Sequence, residues 1–321
     1  MLHPPTLADI RQAAARLKPY VHRTPVLMCT SLNRMIGAEI FCKCENFQKV
    51  GAFKFRGACN AVLALSDAAA QRGVATHSSG NHAAALALAA RLRGITAHIV
   101  MPQNAPEVKK TAVAGYGGRI VFCEPTLAAR EAMLASVVQE TGATFIPPYN
   151  DPQVIAGQGT AALEFCEDVT GLDVVLAPVG GGGLVSGTAI AVAGLSPTTR
   201  VIAAEPAGAD DAYRSLQAGT ILPSVHPRTI ADGLLTSLGE LTFAIIQRHV
   251  AQIVTVSEEA ISSAMRHVWE RMKIVIEPSA AVPIGALLEK RLNLTGQRVG
   301  VILSGGNVDL DRLPWHATAH T

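Results

Sequence analysis

Four consecutive glycines, Gly180, Gly181, Gly182 and Gly183, separate an unbroken apolar run at 174–179 from a run of small and apolar residues at 184–194. A backbone without side chains can turn successive N–H groups toward one point, and a helix that starts there adds partial positive charge. The loop is therefore suited to a phosphate-sized anion. The apolar run is continuous rather than alternating, as in a strand covered on both faces, which calls for a parallel sheet between helices. Other β-rich runs fall at 97–101, 119–123, 200–204 and 299–303, with helical patterns at 81–92, 126–140, 159–168 and 258–271. This alternation predicts an α/β fold with parallel-rich sheets flanked by helices. At 321 residues the chain has room for two domains. Residues 65–149 read as a self-contained run of αβ units ending at Pro147-Pro148. The expectation is a small domain at 65–149 inserted into a large one built from 1–64 and 150–321.

Several partner classes are disfavoured. The net charge is +2, Lys and Arg are scattered, and no run mixes basic with aromatic residues, so nucleic acid is not expected. The most apolar stretch, 174–195, is interrupted by Pro178 and the glycines, so no membrane span is expected. Asp9, Arg11, Arg16 and Lys18 break any apolar leader, and Thr6 with Asp9 forms a helix-capping pair instead. A soluble, cytoplasmic protein is expected. The six cysteines, Cys29, Cys42, Cys44, Cys59, Cys123 and Cys166, include no Cys-x-x-Cys pair and no zinc-finger spacing. They read as reduced, mostly buried thiols, with Cys42 and Cys44 on one strand face.

Lys54 stands in Gly51-Ala52-Phe53-Lys54-Phe55-Arg56-Gly57. A partly apolar setting lowers a lysine's pKa and lets its amine bond an aldehyde. Taken alone, a surface lysine is the plainer reading. Two polar turns add to it: Ser78-Ser79-Gly80-Asn81-His82, and Ser304-Gly305-Gly306-Asn307. A lysine motif, a serine turn, a glycine loop and a late polar turn, in that order, resemble the fold type II pyridoxal-phosphate (PLP) enzymes. Within them, the chain is similar to the serine/threonine dehydratases and serine racemases from about Leu17 to Leu310.

The resemblance implies a tryptophan synthase β-like fold with pyridoxal 5'-phosphate in the interdomain cleft. It makes Lys54 the catalytic amine and Ser79 a second catalytic residue on the opposite face of the ring. Phe53, Asn81, Gly180, Gly181, Gly182, Gly183 and Ser304 would contact the cofactor, Asn81 at the ring 3-oxygen and Ser304 at the pyridine nitrogen. Ser78, Ser79, Asn81 and His82 would receive the substrate carboxylate, with His82 more structural than catalytic. Arg130 matches an arginine that meets a dicarboxylate ligand, and Thr236 is a further pocket residue. Glu205, Ala209 and Asp211 match a divalent-cation site, whose hard oxygen ligands suit Mg²⁺, Ca²⁺ or Mn²⁺. A homodimer is implied by the resemblance alone.

A neutral hydroxyl beside the pyridine nitrogen makes the ring a weaker electron sink, which favours loss of a β-substituent. The expected function is a PLP-dependent dehydratase (ammonia-lyase) converting a β-hydroxy amino acid such as L-serine or L-threonine to a 2-oxo acid and ammonia. A serine racemase and a 3-hydroxyaspartate dehydratase are the alternatives within the family. A different class, an NAD-binding oxidoreductase, would use the same glycine loop with Glu205 as the ribose-binding acid; the spacing fails where Ser186 replaces the third glycine. Departures from the family pattern are Val50 and Ala52 in place of hydroxyl residues, and Ala84 in place of a glutamine used for nucleotide activation, whereas Lys273 is retained. Only a short tail follows Asn307, so no C-terminal regulatory domain is expected.

Overall fold

In the computed structural model, which describes residues 3–315, the apolar runs form ten strands. They are β1 (Val26–Met28), β2 (Glu39–Cys44), β3 (Val74–His77), β4 (Ala97–Pro102), β5 (Arg119–Cys123), β6 (Thr144–Phe145), β7 (Val174–Pro178), β8 (Arg200–Pro206), β9 (Gln252–Val256) and β10 (Arg298–Leu303). Six of them make a sheet in the order β1-β2-β10-β7-β8-β9, and four make a second in the order β5-β4-β3-β6. Every described pairing is parallel except β1 with β2. The four-stranded sheet takes all its strands from within 74–145, and the six-stranded sheet takes its strands from both flanking parts of the chain.

All five residues of β7 are buried. Val174 and Leu176 pack into one core with the helix Pro278–Leu288, while Val175 and Ala177 pack into another with the helix Gly183–Leu195. The continuous apolar run thus reflects a strand covered on both faces. Cys42 and Cys44 share the first of these cores, and all six thiols are free. No helix among the described residues is long and apolar enough to cross a membrane.

Close helix contact sets where the lysine motif sits. A Cβ on Gly187 would lie 2.5 Å from the Gly159 nitrogen, and one on Gly157 would lie 2.7 Å from the Gly57 Cα. The helix Pro152–Asp168 therefore touches both Gly183–Leu195 and Lys54–Ala64 almost backbone to backbone. That helix begins at Pro152 rather than at the expected 159, because the Asp151 side chain accepts from the N–H groups of Gln153 and Val154 and proline occupies the first turn. At the other end of the chain, Thr6 and Asp9 form a full capping box on the helix Leu7–Leu17.

Candidate active site

Three of the expected site segments follow strands of the two sheets: the serine turn after β3, the glycine loop after β7 and the polar turn after β10. Lys54 is the first residue of the helix Lys54–Ala64. The chain before it is tied to the loop after β10: Ala52 bridges Gly305, and the Phe53 N–H donates to the Ser304 carbonyl at 3.0 Å. Lys54 and Ser304 are neighbours for this reason, although they stand 250 positions apart in sequence. Lys54 Nζ donates to the Pro148 carbonyl at 2.7 Å and lies 5.2 Å from the centre of the Phe53 ring. Burial brings its pKa down to about 8, against the opposing pull of the Glu277 carboxylate. Ser304 is buried, and its hydroxyl makes no hydrogen bond among the described residues.

The glycine loop is shaped by what presses on it. A Cβ on Gly181 would lie 2.3 Å from the Tyr149 ring, one on Gly180 would lie 2.9 Å from the Leu234 Cα, and Gly182 has φ +88°. Side chains are excluded there on steric grounds. Among the described residues no protein acceptor takes the N–H groups of Gly180, Gly181, Gly182 or Gly183. Four buried donors without partners at a helix start fit an anion of phosphate size.

The serine turn follows β3 and leads into the helix Asn81–Arg93. The Ser78 hydroxyl accepts from the Gly80 N–H at 3.3 Å, and Ser79 is half-buried with no side-chain partner among the described residues. His82 points away from this chemistry: its Nε2 lies 3.0 Å from the Ile146 carbonyl, and burial holds its pKa down to about 3. The other ring nitrogen, Nδ1, is buried without a partner. Arg130, on the helix Leu127–Thr141, forms no ion pair with a described residue and lies near enough to His77 to lower that imidazole's pKa, though burial does more. His77 immediately precedes Ser78. Thr236 is exposed at the cleft beside the Tyr149 phenol.

Glu205 and Asp211 lie apart from this group. Glu205, the last residue but one of β8, is fully buried, its oxygens accepting from the N–H groups of Ala212 (2.9 Å) and Tyr213 (2.8 Å). Both Asp211 oxygens are buried without a hydrogen-bond partner. Burial pushes Glu205 up to about 8 and Asp211 up to about 6. Ala209 is buried in the short turn between them. Two desolvated carboxylates beside a backbone turn, one of them without a hydrogen-bond partner, are a donor set that fits a hard divalent cation. The same burial argues against the dinucleotide reading, since Glu205 is sealed in and held by backbone N–H groups and is not open to a ribose.

The sequence reading did not single out Glu277, Tyr149 or the Pro148 carbonyl. Glu277 is nearly fully buried and binds Asn81 across the cleft. Its signal was an acid set between Ile276 and a helix-starting proline, in an otherwise apolar segment.

Residues 17–305 match the family described as pyridoxal-phosphate dependent enzyme. The chain belongs to that family. It is 54% identical to a β-hydroxyaspartate dehydratase of Paracoccus denitrificans over 97% of this chain and 99% of that one. The crystal structure of a serine racemase from Dictyostelium discoideum superposes with a TM-score of 0.92 at 48% identity, covering 95% of this chain and 99% of the other. The crystal structure of a T.th. threonine deaminase gives 0.90 at 46% identity, covering 95% and 99%. The α/β architecture and the cofactor class expected from the sequence are those of this family, and the unpaired N–H groups of the glycine loop fit the phosphate of pyridoxal phosphate.

Proposed function

We propose that the chain is a dehydratase of β-hydroxy amino acids that yields a 2-oxo acid and ammonia. L-serine and L-threonine are the simplest substrates, and 3-hydroxyaspartate is the one that Arg130 favours. The observation that carries the reading is the Lys54 amine, lowered to about 8 and set beside Ser304 and a glycine loop with unanswered N–H groups. Lys54 would hold the cofactor, with Gly180, Gly181, Gly182 and Gly183 at its phosphate and Phe53, Asn81 and Ser304 around its ring. When bound, pyridoxal phosphate supplies an aldehyde for the lysine amine and a conjugated ring that accepts electron density from the substrate.

Lys54 Nζ removes the proton from the substrate Cα, and a pKa near 8 leaves a usable unprotonated fraction at neutral pH. The N–H groups of Ser79, Asn81 and His82, which have no acceptor among the described residues, would bind and orient the α-carboxylate; those of Ser78 and Gly80 are taken by the Val100 carbonyl and the Ser78 hydroxyl. The Ser304 hydroxyl is a neutral partner for the ring nitrogen, which favours loss of the β-hydroxyl. Water lost across Cα–Cβ is regained when the product hydrolyses, leaving 2-oxo acid and ammonia. Ser79, with an unpartnered hydroxyl, can return a proton to Cα, so racemisation of serine is the side reaction. Glu205, Asp211 and the Ala209 carbonyl would hold Mg²⁺, Ca²⁺ or Mn²⁺. The same reading includes a homodimer, a cytoplasmic location and the division into a small domain at 65–149 and a large one from 1–64 and 150–321, the last supported by the two separate sheets.

Arg130 is the residue that separates the substrates. It is a guanidinium without a carboxylate partner, placed by the strand that leads into the serine turn, and a second substrate carboxylate would complete it. The 54% identity to a β-hydroxyaspartate dehydratase supports the same choice. The test supplies L-serine, L-threonine and the 3-hydroxyaspartate diastereomers in turn and measures 2-oxo acid and ammonia. Arg130→Ala is expected to lower kcat/KM for hydroxyaspartate by roughly 10- to 100-fold while leaving serine turnover largely intact. Equal losses would remove the dicarboxylate preference, and absence of oxo acid from every substrate would overturn the dehydratase reading.

A further inference from the structure

Glu277 precedes the helix Pro278–Leu288 and faces Asn81, the first residue of the helix Asn81–Arg93, across the cleft. Asn81 Nδ2 lies 2.9 Å from one Glu277 oxygen and 3.1 Å from the other. The two oxygens of a carboxylate are too close together to be met by two hydrogens diverging from one amide nitrogen. A single N–H therefore spans both, and the second is left over. Asn81 Oδ1 is also committed, accepting from Asn307 Nδ2 at 2.9 Å. Asn307 in turn donates its backbone N–H to Glu277 at 3.1 Å and its second side-chain N–H to the Val50 carbonyl at 2.7 Å. Flipping the Asn81 amide would set its oxygen against the carboxylate and its nitrogen against the Asn307 donor. Its orientation is thus fixed, and the spare N–H has a defined direction.

We propose that Glu277 is a positioning residue: it fixes the Asn81 amide across the cleft so that the spare N–H serves the bound cofactor. Burial lowers the Lys54 amine, and Glu277 is the charge that acts in the other direction. The remaining titratable groups around the cluster are His82, held neutral by burial, and the pair Lys109 and Asp232, whose Nζ and carboxylate meet at 2.7 Å across the cleft. That pair is internally balanced, and burial pushes Glu277 itself up to about 7, so its pull on Lys54 is exerted above that pH and is lost in Glu277→Gln. The inference rests on the cofactor family and not on which amino acid is turned over.

The experiment titrates the visible absorbance of the bound cofactor with pH in the holoenzyme, before any substrate is added, for wild type, Glu277→Gln, Glu277→Asp and Asn307→Ala. Removing the negative charge disfavours the protonated form of the nitrogen held at Lys54. Glu277→Gln is therefore expected to move the titration midpoint down by about one pH unit and to weaken cofactor retention by about tenfold. Glu277→Asp keeps the charge but shortens the reach; its midpoint should stay near wild type while retention falls. Asn307→Ala loosens the amide without changing charge and should also leave the midpoint in place. A Glu277→Gln midpoint and retention matching wild type would overturn the proposal. If Glu277→Gln does not fold, a shifted Asn307→Ala midpoint would overturn it equally, because charge would then not be the cause. None of these readings depends on substrate turnover, so failure of the dehydratase reading would leave them unaffected.

Discussion

Two clusters of charge are buried to the same extent and satisfied in opposite ways. Beneath the lysine motif, Arg56 is fully enclosed and forked between two carboxylates, with Glu45 at 2.7 and 2.9 Å and Glu164 at 2.8 and 2.8 Å. Lys43 joins Glu164 at 2.8 Å and the Thr24 carbonyl at 2.8 Å, and the Thr24 hydroxyl donates to Glu45 at 2.6 Å. Burial works against the Arg56 charge, yet the two carboxylates outweigh it and hold the guanidinium above its ordinary pKa. Glu205 and Asp211, by contrast, form no ion pair among the described residues: Glu205 is held by two backbone N–H groups, both oxygens of Asp211 lack a hydrogen-bond partner, and the nearby Arg214 pairs with Asp210 instead. A buried network with its charges answered holds the backbone in place. A buried carboxylate left unanswered costs folding free energy and persists where a ligand supplies the missing charge. The comparison teaches which buried charges are scaffold and which are site.

The comparison breaks most visibly at Arg56. Arg56→Met leaves Glu45 and Glu164 buried without their main counter-charge and should cost about 3–5 kcal/mol in urea unfolding. Arg56→Lys should recover only part of this, because an ammonium cannot form the two-pronged contacts. A loss below about 1 kcal/mol would mean that the network is replaceable packing, well under the cost usual for breaking a buried pair. The next effect is at Glu205 and Asp211. Their folded pKa values, about 8 and about 6, lie above the ordinary values of 4.5 and 3.8. The folded state therefore binds their protons more tightly than the unfolded chain does. Their contribution to stability is present in full below about pH 4 and is lost as pH rises toward 8. With cations chelated, Tm should fall progressively over that window as the two carboxyls lose their protons. Millimolar Mg²⁺, Ca²⁺ or Mn²⁺ should restore it most strongly at the alkaline end, and Glu205→Gln should flatten both responses. A Tm that ignores both pH and cation would assign this pair to the scaffold as well.

The same distinction explains how much could be read from the sequence. The strands and helices were legible because their cause is local: apolar runs such as β7 and capping pairs such as Thr6 with Asp9 act within a few residues. The glycine loop was legible because four glycines in a row have few structural uses. The helix Pro152–Asp168 was placed too late because its start depends on Asp151 as a cap, in a segment whose glycines and glutamines weaken the helical pattern. Glu277 was missed for a different reason. Its partners Asn81 and Asn307 stand 196 and 30 residues away in the chain, and only the folded cleft joins them. His82 shows the reverse case: its place in the serine turn suggested ligand contact, while the fold turns its ring toward the Ile146 carbonyl. Pairing across the cleft is a tertiary property, so spacing alone does not reveal which acids are answered.

The smallest effect tests the outer edge of the paired network. Arg23 contacts Glu167 at 3.0 Å and Asp168 at 2.6 Å, and Asp168 lies 3.5 Å from the buried Lys43. By distance alone, Arg23 looks as well paired as Arg56. Its side chain is 54% exposed, however, and Glu167 is 51% exposed, so water already solvates both charges in the folded state. Neither group is stranded when the other is removed. Arg23→Ala should therefore cost no more than about 1 kcal/mol, and added salt should shrink the difference further. Repeating the measurement at Lys43, the enclosed end of the same chain of charges, sharpens the contrast, because Lys43→Met exposes Glu164 to a loss that salt cannot screen. A cost at Arg23 as large as that at Arg56 would show that the network acts as one unit out to the surface, and burial would no longer be what separates a structural charge from a spare one.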